Sequence, residues 1–169
     1  MVFSSGPARD TEAHKSAAMF LKGAKRPNVI VKNFRDSFFP TVAMEIKDFF
    51  EQLKTQFVPD VIFTHYRNDL HQDHRTICEL TWNTFRNHLI LEYEIPKYDG
   101  DLGAPNVFVS LERSVCDRKI KHLLDAFETQ RSKQWFTRET FAALLRLRGV
   151  ESKAPSGFAE AFYGRKVTL

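Results

Sequence analysis

Apolar positions recur at two spacings along this chain. Val42, Ile46, Phe49, Phe50, Leu53 and Phe57 fall mostly three or four residues apart, and Pro40 and Thr41 precede them. That repeat predicts a helix with one buried face. The same logic predicts helices over residues 11–21, stopped near Gly23, and over 75–87, packing through Ile77, Leu80 and Phe85. Ile120, Leu123, Leu124 and Phe127 mark another helix. Phe141, Leu144, Leu145 and Leu147 mark a further one, which Gly149 is expected to stop. The second pattern is the short apolar run bounded by polar residues. It predicts strands over 29–31, 60–64, 89–94 and 106–109, with a closing strand over 159–169. Residues 2–7 read as the tail of a strand and its loop. Residues 66–71 and 97–105 are loops by their polar, Gly and Pro content.

Strands alternating with helices predict an α/β fold with a mainly parallel sheet. Ligands bind such sheets beyond the carboxyl ends of the strands. Two loops therefore hold the candidate chemistry: His65 to His74, and the turn around Arg35 and Asp36.

Composition changes this picture little. A chain of 169 residues, 43% hydrophobic, can bury one core, so residues 1–169 are read as a single domain. Sixteen Phe residues are read as packing. The net charge of +4 is spread along the chain with no basic block, so no nucleic-acid partner is expected. Cys78 and Cys116 fit neither a disulfide framework nor a Cys-based zinc motif, and buried thiols in a reducing compartment are expected. Residues 1–15 contain no apolar signal-peptide core, and no apolar stretch reaches the roughly 18 residues of a membrane span. The expected location is cytoplasmic.

The segment from Thr64 to Arg75 concentrates the chemistry, with three of the six histidines and two aspartates. His71 and His74, three apart, share a face at a helix start. Asp73 can fix an imidazole tautomer as carboxylates beside metal-bound histidines do. Zinc hydrolysis suits such a set, and a solvated His-x-x-His surface pair suits it as well. Position at a strand's carboxyl end is what favours the site. His65 is read as a hydrogen-bonded structural residue, and His14, His88 and His122 as surface or packing residues.

Pro59-Asp60-Val61-Ile62-Phe63-Thr64-His65, followed by Asp69 and then His71-Gln72-Asp73-His74-Arg75, resembles the second motif of the PIG-L/LmbE-like zinc deacetylases. Arg9-Asp10-Thr11-Glu12 with Ala17-Ala18, Arg35-Asp36-Ser37, Gln130-Arg131-Ser132, Arg148-Gly149 and Ala159-Glu160-Ala161-Phe162 resemble further stretches of that family in the same order. The resemblance implies a Rossmann-like three-layer fold. It also implies a zinc-dependent hydrolase (Zn2+ as cofactor) that removes acetyl from an N-acetylglucosamine-type sugar or glycoconjugate. By position, His74 would bind zinc, His71 would polarise the amide carbonyl, Asp73 would orient His71, and Arg9 and Asp36 would hold sugar hydroxyls. The loop over residues 93–105, with Tyr98 and Asp99, would border the substrate entrance.

The family's His-Pro-Asp-Asp motif, which carries two further zinc ligands and a general base, does not occur in this sequence. The expectation is therefore a fold lacking its first β-α unit, an uncovered sheet edge beside the strand ending at Ser4, and self-association as a homo-oligomer. A non-enzymatic sugar-binding or scaffold role is the alternative function. A catalytic zinc usually takes three protein ligands, so after exhaustive dialysis the purified chain is expected to hold less than one zinc per molecule and to release little acetate. Metal analysis finding one tightly held zinc, lost in His74→Ala together with acetate release, would overturn this.

Overall fold

The computed structural model describes residues 1–3 and 6–167. The chain forms two compact units, Met1–Arg35 with Val109–Glu160, and Asp36–Phe108 with Ala161–Leu169.

In the first unit, α1 (Pro7–Phe20) starts four residues before the predicted point, because Pro7 occupies its first turn, where no amide partner is needed. Gly23, at φ +91°, turns the chain after the helix ends. Glu12 is buried and accepts from the Thr129 amide and hydroxyl, both at 2.7 Å, which caps the short 3-10 turn Glu128–Gln130. α4 (Arg113–Ala126) and α5 (Arg138–Glu151) pack Cys116, Ile120 and Leu145 together, with Leu111, Leu124, Phe141 and Phe158 around them.

Gly149 does not stop α5, which runs on to Glu151. The glycine serves a close approach instead: a Cβ there would lie 2.2 Å from the Gly157 carbonyl oxygen. The strand predicted over 29–31 reduces to one parallel bridge, Val2 to Val31. The predicted turn at Ser4 and Ser5, and the sheet edge expected beside Ser4, lie outside the described residues.

In the second unit, Phe39–Val42 forms a 3-10 turn that leads into α2 (Ala43–Gln56), whose Ile46 and Phe50, one turn apart, are buried. β1 (Val61–His65) pairs in parallel with β2 (Leu89–Tyr93), Val61 opposite Leu89 and His65 opposite Tyr93. α3 (Gln72–Thr84) crosses between them and packs on α2, with the Phe50 and Phe85 rings 6.0 Å apart. The sheet order is β1-β2-β4-β3. β3 is Val107–Ser110 and β4 is Ala159–Gly164, and each runs along the chain from one unit into the other.

The α/β class is as expected, and β4 makes the sheet mixed by pairing antiparallel to β2. β4 ends at Gly164, five residues short of the predicted closing strand, whose residues 168–169 lie outside the described ones. Among the described residues no helix is long and apolar enough to cross a membrane. Cys78 and Cys116 are free and buried, as the pattern predicted.

Gly149→Ala tests the close approach. Alanine gains up to about 1 kcal/mol of helix propensity, but the collision with Gly157 costs about 1–3 kcal/mol. A lower denaturation midpoint is expected, and a raised one would contradict the packing.

Candidate active site

The loop from Tyr66 to His71 leaves the carboxyl end of β1, where parallel strands place their ligands. Glu92, at the middle of the site's support, points from β2 and is 1% exposed. Its carboxylate accepts from the Arg67 amide at 3.0 Å, the Arg67 guanidinium at 2.6 Å and the Trp82 indole at 2.7 Å. Strand, loop and α3 are thereby tied at one point. Burial pushes the nearby Cys78 thiol up to about 12, and the Glu92 charge adds to it.

Asp69 is buried beyond that anchor. Its Oδ1 accepts from the His71 amide at 2.8 Å, and its Oδ2 lies 2.8 Å from His74 Nδ1. Burial alone would raise its carboxyl. The His74 and His71 hydrogen bonds, with the His74 and Lys97 charges, outweigh burial and hold it at about 2. A carboxylate can only accept, so His74 Nδ1 carries a proton, and in the neutral ring Nε2 then keeps its lone pair. That is the pattern of a metal-binding imidazole backed by a carboxylate.

His71 caps α3, its Nδ1 accepting the Asp73 amide at 3.3 Å. The ring proton then sits on Nε2, as a donor. The His71 and His74 rings lie 4.6 Å apart. Asp73, 3% exposed, takes the Ser37 amide at 2.6 Å and the Phe39 amide at 3.0 Å. It thus fixes the turn that carries Asp36, including Ser37 in the left-handed region at φ +68°. Donor atoms of Asp36, His71 and Asp73 all fall within 4.8 Å of one another. Arg9 is exposed on α1, within the first unit.

His65 Nε2 lies 3.3 Å from the Tyr93 hydroxyl, while its Nδ1 is buried without a hydrogen-bond partner among the described residues. Burial, aided by His74, lowers its pKa to about 3, so it is neutral.

His65, Asp69 and His74 bring donor atoms within 4.8 Å of one another, but the set is not a ready zinc cage. The His65 and His74 rings are stacked, 3.9 Å apart and 6° from parallel. Imidazole lone pairs lie in the ring plane, so these two cannot both reach one ion about 2.0–2.1 Å away. Both Asp69 oxygens are already engaged. His74 therefore fits zinc as one ligand, and His65 and Asp69 as arranged do not complete the set.

No protein-family model and no curated protein matches the sequence. Solved structures do match. A deacetylase triple mutant of the teicoplanin biosynthetic pathway has a TM-score of 0.66 at 17% identity, covering 97% of this chain and 83% of its own. N,N'-diacetylchitobiose deacetylase from Pyrococcus horikoshii has a TM-score of 0.57 at 17% identity, covering 92% and 62%. This chain shares the fold of these solved deacetylases. GalB, the 4-carboxy-2-hydroxymuconate hydratase of Pseudomonas putida KT2440, matches too, with a TM-score of 0.58 at 16% identity over 96% of this chain and 72% of its own. At these identities the likeness establishes the fold.

Sequence patterns located the His71–His74 cluster but missed its supports, Arg67, Trp82, Glu92, Lys97 and Asp101. One signal was present: Glu92 interrupts an apolar strand run, and a buried charge requires partners. Glu92→Leu leaves the Trp82 N–H and Arg67 without their acceptor. A loss of about 3 kcal/mol is expected, read by chemical denaturation. A change below about 1 kcal/mol, the scale of exposed ion pairs, would show that the network is not an anchor.

Proposed function

We propose that this chain is a metal-dependent hydrolase acting on the acetamide of an N-acetylglucosamine-type sugar or glycoconjugate. The observation that carries the reading is the pair of fixed tautomers. His71 offers an Nε2 proton beside His74, which offers an Nε2 lone pair. A donor and a metal ligand side by side suit attack on a carbonyl, where charge develops on oxygen. Zinc held by His74 would supply Lewis-acid polarisation and an activated water. His71 Nε2–H would donate to the amide oxygen as it becomes an oxyanion. Asp73 would act on His71 through the helix start, since its amide fixes the ring and its carboxylate holds the Asp36 turn. Asp36, beside His71, and Arg9 would take sugar hydroxyls. The deacetylases among the solved neighbours support this reaction. The hydratase of the same fold means that the donors, not the fold, must carry the argument.

A second reading, a sugar-binding or scaffold protein without turnover, draws on the stacked His65 and His74 rings, which leave the zinc set incomplete.

With zinc in excess, slow acetate release from N-acetylglucosamine conjugates is expected, falling by about 10²–10³ in His71→Ala, the usual cost of one oxyanion donor. Release that never exceeds the His71→Ala background on any N-acetylated sugar sinks the hydrolase. Saturable sugar binding that chelators do not alter would then select the second reading.

A further inference from the structure

The Lys97 side chain is only 9% exposed, although it sits on a surface loop. Its ammonium lies 3.3 Å from Asp69 Oδ1, is paired with Asp101 Oδ2, and is 3.8 Å from Asp99 Oδ2. Asp101 Oδ2 also accepts the Leu70 amide at 2.7 Å. Lys97 and the His71 amide therefore converge on one oxygen of Asp69, and the other oxygen is left for His74 Nδ1. A lysine carries three donors and no acceptor, so it can hold two carboxylates at once and competes with neither histidine for the role of acceptor.

The same residues bind two loops together. Residues 97–101 are tied to residues 69–70 through Lys97 and Asp101, and the Gly103 amide donates to the Tyr163 hydroxyl at 3.0 Å. The loop expected to border the entrance is thus pinned at Lys97, Asp101 and Gly103, while Tyr98 between them is 68% exposed.

We infer that Lys97 is a positioning residue of the site: by holding Asp69 Oδ1 it aims Asp69 Oδ2 at His74 and keeps the His74 proton on Nδ1. The inference concerns the site proposed above, but it is read without substrate or metal, so its failure and that of the hydrolase reading are separable. Without the ammonium, the His71 amide is the one group among the described residues that holds Asp69 Oδ1, and the carboxylate is free to turn away from the ring.

The test is two-dimensional long-range ¹H–¹⁵N correlation of the histidine rings in chelator-treated protein at about pH 8, well above the ordinary histidine value of about 6.5. The wild type is expected to show the Nδ1–H pattern for His74. Lys97→Met is expected to shift His74 toward the Nε2–H form, and Lys97→Arg, which keeps the charge, to restore the original pattern. Asp101→Asn separates positioning from simple loop clamping. It loosens the Leu70 contact, so the Leu70 amide should exchange faster, while His74 keeps its tautomer. An unchanged His74 pattern in folded Lys97→Met overturns the inference. If Lys97→Met fails to fold, Asp101→Asn decides: loss of the Nδ1–H pattern there means that the loop clamp alone sets His74, and its retention with faster Leu70 exchange supports Lys97.

Discussion

A carboxylate buried in the middle of a strand must be paid for by its neighbours, and Glu92 shows what that requires. At 1% exposure it would be strongly disfavoured without hydrogen bonds. The acceptors it presents are met by Arg67 through both backbone and side chain, and by the Trp82 indole. Those partners come from the loop after β1 and from α3, so solving the charge problem also fixes where the loop begins. The Arg67 guanidinium lies 5.5 Å from the centre of the Trp82 ring and the Arg165 guanidinium 5.2 Å from it, which adds cation–π contact around the same point.

Everything in the candidate site hangs from that fixed start. Two further buried aspartates divide the work. Asp69 accepts from His71 and His74 and so orders the histidines, while Asp73 accepts from Ser37 and Phe39 and so orders the facing turn. Each is itself a buried carboxylate whose oxygens are met by hydrogen bonds. The consequence for chemistry is a pair of imidazoles with opposite tautomers. His71 is set by a backbone donor and His74 by a carboxylate acceptor.

His65 shows the limit of proximity as an argument. Its donor atoms are near those of Asp69 and His74, and its ring is stacked on that of His74. Stacking suits a neutral, buried imidazole, and it directs the lone pairs along parallel planes. Packing with His74 and Tyr93 is what the position provides.

The sequence by itself determined most of the element types and the location of the chemistry. Periodic apolar positions such as Ile46 and Phe50 define helix faces, short apolar runs define β1 and β2, and His71 to His74 follow a strand end; each of these is a local property. The fold shared with the solved deacetylases was legible through spaced motifs in consistent order, although no family model matches. What only the tertiary structure decided were the partners of buried polar groups. Gly149 looked like a helix stop and proved to be a point of contact with Gly157, because the distance that demands glycine lies across the fold. Asp73 was expected to orient His71 by its carboxylate, whereas that carboxylate holds residues 34 and 36 positions upstream and the amide of the same residue meets the ring. Lys97 carries no sequence signal, since a lysine in a polar loop is ordinarily solvated. It becomes part of the site only where the fold brings Asp69 and Asp101 to its ammonium, a meeting that depends on chain packing rather than on any spacing along the chain.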